Sequence, residues 1–372
     1  MIYKDFNGIK ISTLGMGNMR LPAAKDPVPG HEIDWDGAQE ILDYAMANGI
    51  NYYDTAYVYY NGESERCVGH CMKKHDRKSF YLATKYYIDA NPDYDAVFKE
   101  QLERLQTDYI DFYLIHCLLD ENIDSYLNSG AIEYFLEQKK LGKIKYLGFS
   151  SHASLDTLRR FADHHQWDFG QLQINYYDWL FGETQEEYKI LEERNIPIIV
   201  MEPVRGGRLA DLTPELNQEM KALHPDYSVA SWALRFTRKL PQVQLTLSGM
   251  SNMEQIIDNV KTFSDEETLS AADEEKLFEI CRSFKNKLQV PCTACRYCCD
   301  GCPKKINIPA FLEVYNDYRI SGTEALSALA EVSSEGKPAD CIACGKCTKH
   351  CPQGIEIPKA LKNLAEAAEK KS

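Results

Sequence analysis

The sequence predicts an α/β protein: a (β/α)8 barrel of the TIM-barrel class, followed by a smaller domain that is rich in cysteine. The first observation is length, because 372 residues are enough for two domains. The second is alternation, because eight short β-rich runs alternate with stretches of helical length over residues 1–264. The third is the placement of cysteine, since eight of the thirteen cysteines form two matching sets after residue 290.

The β-rich runs are short and bounded by polar residues, as buried strands are. In sequence order they cover residues 12–19, 51–56, 80–86, 110–116, 145–150, 171–177, 196–203 and 243–249. Amphipathic stretches lie between the runs. Residues 38–49 place Ile41, Leu42 and Ala45 on one face and end at a glycine, and residues 125–143 end on lysine and glycine.

An open, doubly wound sheet is the competing fold for this alternation. That fold usually carries a glycine-rich phosphate turn after its first strand and a helix directly behind the turn. Residues 14–19 read LGMGNM, which lacks both the third glycine and the helix. The pattern therefore favours a barrel over residues 1–264, a connecting helix over 265–288 and the cysteine-rich domain over 289–372.

Composition and charge exclude several classes of function. The net charge is -14, and the end from Lys287 onward holds 12 basic and 10 acidic residues, so the rest of the chain is strongly acidic. Such a body argues against a nucleic-acid partner. No apolar run approaches the ~18 residues of a membrane span, and the opening MIYKDFNGIK has no apolar signal segment. Abundant cysteine without such a segment indicates a reducing compartment, so we expect a cytoplasmic protein with no membrane partner.

The cysteine-rich end contains an internal repeat at a fixed offset of 49 residues. Each copy reads C-x2-C-x2-C-x3-C-P and continues with I-x-I-P and a predicted helix. The first copy contributes Cys292, Cys295, Cys298 and Cys302, and the second contributes Cys341, Cys344, Cys347 and Cys351.

The spacing of these cysteines distinguishes a zinc site from an iron–sulfur cluster. Zinc usually takes two pairs of ligands separated by a longer loop. Three closely spaced thiolates and a fourth before proline are typical of a [4Fe–4S] cluster, and in two-cluster proteins the fourth cysteine ligates the other cluster. Residues 289–372 resemble bacterial two-cluster ferredoxins. We assign cluster 1 to Cys292, Cys295, Cys298 and Cys351, and cluster 2 to Cys302, Cys341, Cys344 and Cys347.

The remaining cysteines are predicted to be packing residues. Cys299 has an alternative role, because it could replace Cys298 as a cluster ligand. The register of the repeat favours Cys298. Cys67 and Cys71 lie four residues apart on a predicted helix and could chelate a metal, but the spacing favours two small buried hydrophobic side chains.

Polar residues end three successive predicted strands of the barrel, where barrel active sites lie. They are Asp54, Lys85 and His116. Burying an aspartate and a lysine separately is costly, so we expect Asp54 and Lys85 to pair. A tyrosine from the loop after Asp54 would meet the lysine, and a nearby cation lowers the pKa of a phenol toward neutrality, which suits a general acid.

Several motifs in this order make the barrel similar to the aldo-keto reductase family. They are G-x-N-Y-x-D-T-A-x-x-Y, A-T-K, D-F-Y-L-I-H, L-G-F-S-S and Q-x-N-Y. The resemblance spans nearly the whole barrel and implies reduction of a carbonyl substrate by hydride from NADP(H) or NAD(H). It implies that Tyr59 donates the proton, that Asp54 and Lys85 adjust the acidity of Tyr59, and that His116 orients the carbonyl.

The same resemblance implies a set of cofactor-binding residues. Ser151 stands where the family has asparagine, Met201 where it has an aromatic residue that stacks on the nicotinamide, and Gln255 near its arginine for a 2′-phosphate. These differences leave the preference for NADPH or NADH open, with Arg208 as a substitute for the missing arginine. The full set is Gly17, Asn18, Met19, Asp54, Ser150, Ser151, Gln173, Met201, Gly206, Arg208, Gln255 and Asn259.

The two predicted domains suggest three functions, because nicotinamides move two electrons and [4Fe–4S] clusters move one. The first is a carbonyl reductase whose cysteine-rich domain is a structural, docking or redox-sensing module. The second is a reductase whose clusters relay electrons between an external ferredoxin or flavodoxin and a substrate or an added flavin at the barrel mouth. The third is a redox sensor subunit without catalysis, against which the set of Asp54, Tyr59, Lys85 and His116 argues.

Overall fold

The computed structural model describes residues 1–28, 31–285 and 290–371. These residues form two compact units. One unit comprises Met1–Pro203 with Ala230–Ala272, and the other comprises Val204–Val229 with Asp273–Ser372. The last predicted residues of the connecting helix, 286–288, and the first residue of the predicted cysteine-rich domain, 289, lie outside the described residues.

The first unit is built on a closed barrel of parallel strands, which confirms the predicted (β/α)8 class. The strands follow one another around the barrel in sequence order, as right-handed β–α–β connections require. The barrel strands are β3 (Leu14–Gly17), β6 (Tyr52–Asp54), β7 (Tyr81–Tyr86), β8 (Ile110–Leu118), β9 (Ile144–Ser151), β10 (Phe169–Gln173), β11 (Ile198–Met201) and β12 (Val243–Gly249).

Two antiparallel hairpins lie outside the barrel and were not predicted. The first joins β1 (Tyr3–Phe6) to β2 (Ile9–Ser12), and the second joins β4 (Ala23–Val28) to β5 (His31–Ile33). Phe6 of the first hairpin is buried and packs 5.3 Å from Phe112 between ring centroids, within the apolar core that also holds the barrel residue Phe169. The hairpin therefore covers the amino-terminal end of the barrel with an aromatic side chain.

Helices connect the strands and follow the predicted amphipathic stretches. The predicted helix over 125–143 is divided at Gly130, which has φ 81° and starts the second of two shorter helices. The predicted strand over 171–177 ends at Gln173, and its last two residues begin a helix instead. In the first unit the helices are α1 (Trp35–Ala47), α2 (Glu63–Met72), α3 (Tyr94–Arg104), α4 (Ile123–Asn128), α5 (Ala131–Lys140), α6 (Leu155–His164), α7 (Tyr176–Phe181), α8 (Thr184–Glu193), α10 (Val229–Lys239) and α11 (Met253–Ser264).

The second unit is helical. Its helices are α9 (Pro214–Leu223), α12 (Ala271–Lys285), α13 (Tyr297–Asp300), α14 (Ile308–Ser321), α15 (Lys346–Lys349) and α16 (Ile357–Lys371). The core of this unit contains Phe311, Leu312, Leu361 and Leu364, with Cys298 and Cys347 among its buried side chains. Five further cysteines pack against this core, so the cysteine sets lie beside a continuous apolar cluster.

The sequence repeat of the second unit is also a repeat of backbone conformation. Left-handed φ angles occur at Ala294, Arg296 and Lys305, and they recur 49 residues later at Ala343, Gly345 and Gly354. The helices that follow begin at Ile308 and Ile357, again 49 residues apart. The two copies thus fold alike, including turns in which a residue other than glycine takes a conformation that favours glycine. Among the described residues, no helix is both long and apolar enough to cross a membrane.

Candidate active site and cysteine clusters

Four side chains predicted to act in catalysis come from consecutive segments at the carboxyl end of the barrel. Asp54 ends β6, Lys85 lies in β7 and His116 lies in β8, while Tyr59 begins a short 3-10 turn after β6. All four are buried, with exposures of 3% for Asp54, 9% for Tyr59, 0% for Lys85 and 3% for His116. The strand ends therefore place charged and titratable groups where water is largely excluded.

A bulge in β8 presents His116. The pairing of β8 with β9 shifts register between Ile115 and Leu118, and Cys117 takes a left-handed φ of 53°. The Cys117 N–H donates to Ser150 Oγ of the neighbouring strand at 2.9 Å. Bulges of this kind redirect side chains at barrel rims, so this irregularity sets the direction of the imidazole.

Lys85 and Asp54 are in direct contact, as predicted. Lys85 Nζ lies 2.6 Å from Asp54 Oδ1 and also donates to the Thr55 carbonyl at 2.6 Å. Burial alone lowers the pKa of Lys85 and raises the pKa of Asp54, and the charge of each partner opposes that effect in the other. The contact therefore holds a buried charge pair that neither residue could keep by itself.

Tyr59 lies between the lysine and the histidine. Lys85 Nζ is 5.1 Å from the centroid of the Tyr59 ring, so the ammonium faces the ring. The His116 ring packs edge-on against Tyr59, with centroids 5.9 Å apart and an interplanar angle of 81°. Within the described part of the chain, the Tyr59 hydroxyl makes no hydrogen bond. The phenol therefore keeps its hydrogen available for a ligand.

The prediction that Lys85 makes Tyr59 more acidic is wrong for the structure. Burial raises the pKa of the Tyr59 phenol well above its ordinary value, and the Asp54 carboxylate raises it further, while Arg20 lowers it. Lys85 is paired with Asp54, and its charge does not outweigh the effect of burial on the phenol. The phenol is thus fully protonated at neutral pH, which is the state that a proton donor needs.

His116 is neutral in the same environment. Burial lowers its pKa well below the ordinary value, and the positive charge of Lys85 acts in the same direction. The aromatic ring of Tyr87 also packs against the imidazole, at 5.6 Å between centroids. A neutral imidazole can donate one hydrogen bond and accept another, which suits it to orient a carbonyl oxygen rather than to act as an acid.

A buried polar network behind β7 supports Lys85 and was missed in the sequence. Gln101 Nε2 donates to the Lys85 carbonyl at 3.0 Å and to Glu65 Oε1 at 2.9 Å, and Glu65 Oε2 accepts from Arg104 at 3.0 Å. Tyr113 donates to Gln101 at 2.6 Å. Glu65, Gln101 and Arg104 lie on helices, where a single polar residue among amphipathic neighbours gives no local signal.

A second ion pair at the strand ends was also missed. Arg20 follows β3 and Glu202 follows β11, and Arg20 Nη2 lies 2.8 Å from Glu202 Oε1. Both charges influence the pKa of Tyr59, Arg20 lowering it and Glu202 raising it. The rule that identified Asp54 and Lys85, a charged residue at the end of a strand, applies to Arg20 and Glu202 as well.

The predicted cofactor residues near β3 and β9 lie beside this site. Asn18 is buried and donates to the Asp54 carbonyl at 2.8 Å, and Gly17 pairs with Asp54 in the sheet, while Met19 follows in the turn Asn18–Arg20. Ser150 Oγ accepts from Cys117 N–H and Ser151 Oγ accepts from Ala153 N–H at 3.2 Å. Each serine hydroxyl retains its own hydrogen for donation.

Buried oxygens without a partner mark the space that a ligand would fill. Among the described residues, Asn18 Oδ1, Asp54 Oδ2 and Gln171 Oε1 are buried and accept no hydrogen bond. Buried acceptors are normally satisfied, so these three fit a site that receives donors from a bound molecule. The barrel residues present therefore fit a polar cofactor or substrate.

The other predicted cofactor residues of the first unit are engaged within the protein. Gln173 Nε2 donates to Asp178 at 2.7 Å, and Met201 Sδ accepts from Gln171 Nε2 at 3.5 Å. Asn259 is buried and donates to Ser248 at 2.9 Å, and Gln255 Oε1 accepts from Ser251 N–H at 2.7 Å. Asp178, which holds Gln173, was not predicted.

Gly206 and Arg208 belong to the second unit. A Cβ placed on Gly206 would lie 2.0 Å from the Thr293 carbonyl oxygen, so this glycine packs directly on a cysteine-bearing segment. Arg208 lies 3.8 Å from Glu313.

The four cysteines assigned to cluster 2 line one cavity. Cys302, Cys341, Cys344 and Cys347 line a small pocket together with Ile306 and Leu361. The fourth cysteine of the first copy thus meets the first three of the second copy, which is the crossed arrangement that the sequence predicts. Within the described ranges, no three possible ligands are close enough for a single metal ion. Four thiols spread around a cavity fit a cluster, in which each thiolate binds a different iron.

The cysteines assigned to cluster 1 are also neighbours. Burial raises the pKa of Cys292, and the Cys351 thiol raises it further. A hydrogen bond with Cys299 and burial raise the pKa of Cys298, with smaller contributions from Cys295 and Cys292. Ala294 N–H points at Cys292 Sγ at 3.4 Å, the kind of amide contact that adjusts a cluster potential.

The remaining thiols lie apart from these two sets. Cys67 and Cys71 are buried on α2 with sulfurs 3.9 Å apart, and Cys117 and Cys281 are buried. Cys298, not Cys299, occupies the position of Cys347 in the repeat and shares its burial. These observations agree with packing roles for the thiols outside the two sets.

The protein is an oxidoreductase with two parts. The barrel carries the polar residues at its strand ends, and an iron–sulfur module carries the cysteine repeat. The chain belongs to the aldo/keto reductase family, whose model matches residues 13–282, and residues 291–356 match the 4Fe-4S dicluster domain. An uncharacterized oxidoreductase of Bacillus subtilis, YqkF, is 30% identical over 288 residues, covering 68% of this chain and 87% of that protein. L-galactose dehydrogenase of Arabidopsis thaliana is 25% identical over 296 residues, covering 73% of this chain and 90% of its own.

Solved structures agree with this assignment. The holo form of an aldo-keto reductase from Bacillus halodurans superposes with a TM-score of 0.61 at 25% identity, covering 76% of this chain and 96% of that one. An aldo-keto reductase from Klebsiella pneumoniae in complex with NADPH also gives a TM-score of 0.61, at 20% identity and with the same coverage, and shows the shared fold.

Proposed function

We propose that this protein reduces a carbonyl substrate with hydride from a nicotinamide cofactor, and that Tyr59 is the proton donor. The observation that carries the proposal is the placement of the Tyr59 phenol, buried between the Lys85 ammonium and the His116 imidazole. When bound, NAD(P)H supplies the hydride to the carbonyl carbon. Tyr59 supplies the proton to the carbonyl oxygen, and the product is an alcohol with the oxidised cofactor.

Each of the four buried residues has a separate role in this proton transfer. Tyr59 keeps its proton until the oxygen gains negative charge, because burial disfavours the phenolate. Lys85, held by Asp54, faces the Tyr59 ring and stabilises the phenolate that forms as the proton leaves. His116, neutral and directed by the β8 bulge, donates a hydrogen bond that orients the carbonyl. Water then returns the proton to Tyr59.

The cofactor is proposed to lie along the strand ends from β3 to β12. Ser150, Ser151 and Gln173 would hold the carboxamide, and Met201 would cover one face of the ring. Gly17, Asn18, Met19 and Asp54 would border the reacting end. For the adenosine end we propose Gln255 and Asn259, whereas the cofactor roles of Gly206 and Arg208, which belong to the second unit, stay a prediction from the family resemblance.

Two sets of observations concern whether the protein prefers NADPH or NADH as its cofactor. The Klebsiella pneumoniae relative was solved with NADPH, and a relative from Schizosaccharomyces pombe carries NADP(+) in its name. In this chain a neutral Gln255 stands near the predicted 2′-phosphate position, and its side chain already bonds Ser251. We propose that the protein accepts both cofactors, with a smaller preference for NADPH than an arginine at position 255 would give.

We propose that the second unit binds two [4Fe–4S] clusters with the crossed ligand sets given above. The clusters supply one-electron chemistry when bound. A relay function has one specific observation in its favour, because Cys344 is exposed and would hold cluster 2 close to the protein surface. In that second candidate function an external ferredoxin or flavodoxin would exchange electrons with cluster 2.

Hydride transfer to a generic aldehyde tests the first proposal. The protein is purified anaerobically, and NADPH or NADH oxidation is followed in wild-type, Tyr59→Phe and Tyr60→Phe proteins. We expect Tyr59→Phe to lower kcat by about 10²-fold or more, because a positioned general acid contributes that much. Tyr60, whose hydroxyl bonds the Leu21 carbonyl, is the matched control and should retain activity. A Tyr59→Phe protein with the wild-type rate would refute the proposal.

A further inference from the structure

Arg205 lies in the second unit, in the short turn Arg205–Gly207 that follows β11 in sequence. Its side chain is almost fully buried, with 4% exposure, which is unusual for arginine. A buried guanidinium needs hydrogen-bond acceptors to compensate for the loss of water, so its partners show what the residue does.

The acceptors of Arg205 flank two cysteines that are distant in sequence. Nη1 donates to the Pro291 carbonyl at 2.8 Å, and Nη2 donates to Gln353 Oε1 at 2.7 Å. Pro291 immediately precedes Cys292, and Gln353 follows Cys351 by two residues. Both cysteines are assigned to cluster 1, so one side chain bridges the two parts of the chain that must meet around that cluster.

The backbone beside Arg205 makes a second contact with the same region. Gly206 has φ 67°, and a Cβ on it would lie only 2.0 Å from the Thr293 carbonyl oxygen. Thr293 is buried and lies between Cys292 and Cys295. The turn is thus fitted to the first cysteine loop at two points, and only glycine allows the approach at position 206.

We propose that Arg205 is a positioning residue for cluster 1, which holds the segments of Cys292 and Cys351 together and favours the reduced state of the cluster. The inference rests on the proposed ligand set of that cluster. The match to the 4Fe-4S dicluster domain covers residues 291–356, so Arg205 lies outside the matched residues.

Electrostatics gives the direction of the effect. Reduction adds one negative charge to a cluster that is already anionic in its thiolate cage, and a nearby guanidinium stabilises that added charge. Loss of the guanidinium therefore makes the cluster harder to reduce. Loss of the two hydrogen bonds also loosens the loops that carry Cys292 and Cys351, so iron becomes easier to extract.

Redox titration followed by electron paramagnetic resonance tests the proposal on full-length, anaerobically purified protein. The variants are Arg205→Gln, Arg205→Lys and, as control, Arg319→Gln, which removes an exposed arginine from α14 of the same unit. Cys344→Ser protein, which lacks a ligand of cluster 2, identifies the signal of cluster 1. Release of iron to a chelator is measured in parallel.

Arg205→Gln should lower the reduced-to-oxidised ratio of cluster 1 about tenfold at a fixed potential, which is ~59 mV for one electron. Its iron should reach the chelator faster, while cluster 2 and the Arg319→Gln protein stay at wild-type values. Arg205→Lys keeps the charge but cannot bridge both acceptors, so the potential should stay near wild type and iron release should still be faster.

Equal potentials and equal iron release in wild-type, Arg205→Gln and Arg205→Lys proteins would overturn the inference. If Arg205→Gln does not accumulate as folded protein, Arg205→Lys decides the question through iron release. A wild-type protein that holds fewer than about eight irons per chain when isolated anaerobically would instead contradict the cluster assignment itself.

Discussion

Lys85 and Asp54 make a 2.6 Å contact between charged groups, with Lys85 wholly buried and Asp54 nearly so. Such a pair adds little stability over an apolar pair of the same shape, but breaking it leaves one charge buried and unpaired. Lys85→Met should therefore lower the free energy of unfolding by about 3–5 kcal/mol. Urea unfolding followed by circular dichroism measures this change.

The matched control for that prediction is Lys99→Met. Lys99 and Asp95 also form a lysine–aspartate contact, but both side chains are largely exposed. Exposed pairs are screened by water, so the control should unfold at the wild-type urea concentration. Equal destabilisation in the two variants would mean that burial of the Lys85–Asp54 pair is not what makes it important.

The pH dependence of catalysis follows from two opposite shifts. Burial raises the pKa of Tyr59, so the phenol stays protonated well above neutral pH, and burial lowers the pKa of His116, so the imidazole stays neutral well below it. Both groups are in the active state between these limits. The kcat for carbonyl reduction should therefore be flat from the ordinary pKa of histidine, about 6.5, to the ordinary pKa of tyrosine, about 10.

Alcohol oxidation by the same protein should behave differently, because Tyr59 must first lose its proton to act as a base. Its rate should rise with pH through the range in which reduction is flat. Stopped-flow measurement of both directions in one buffer series gives the comparison. A fall in the reduction rate across neutral pH would show that the phenol is more acidic than its burial implies.

Cysteine substitutions separate ligands from packing thiols. Cys298→Ser and Cys344→Ser should each lose the iron of one cluster and make the second unit sensitive to protease, because such small domains fold around their metal centre. Cys299→Ser is the control next to Cys298 and should keep its full iron content. Iron analysis and limited proteolysis under anaerobic conditions provide the readouts, and iron loss on substitution of Cys299 would reverse the assignment.

Gln255→Arg should shift the cofactor preference toward NADPH. An arginine at this position can form a two-pronged contact with the 2′-phosphate, which glutamine cannot. We expect the ratio of kcat/KM for NADPH over NADH to rise about tenfold, which corresponds to ~1.4 kcal/mol. Gln255→Lys tests whether charge alone is enough, and an unchanged ratio in both variants would place the 2′-phosphate elsewhere.

The sequence was most informative where chemistry and strand position coincide. Asp54, Lys85 and His116 were found because charged residues at strand ends are rare in a buried barrel, and the structure brings them together around Tyr59. The same rule applied to Arg20 and Glu202 would have found their ion pair. The repeat of cysteines likewise predicted that Cys302 meets Cys341, Cys344 and Cys347.

Properties that depend on burial, or on contacts between residues distant in sequence, could not be predicted from the sequence. The sequence predicted a cation near Tyr59 and therefore a lower pKa for its phenol. The cost of burying the phenolate has the larger effect on that pKa and raises it. Gly206 and Arg208 follow β11 directly, yet they group with a unit whose other residues lie some seventy positions later. Local periodicity carries no information about such a partner.

The segment Val204–Val229 belongs to the second unit, which limits where the protein can be divided into stable fragments. A fragment that begins near residue 290 would lack Arg205 and Gly206, which contact the residues around Cys292. A barrel expressed without the carboxyl-terminal residues would retain a 26-residue segment deprived of the neighbours it packs against. Either fragment would therefore lack part of the second unit, so a division that keeps this unit whole must keep Val204–Val229 together with the residues from Asp273 onward.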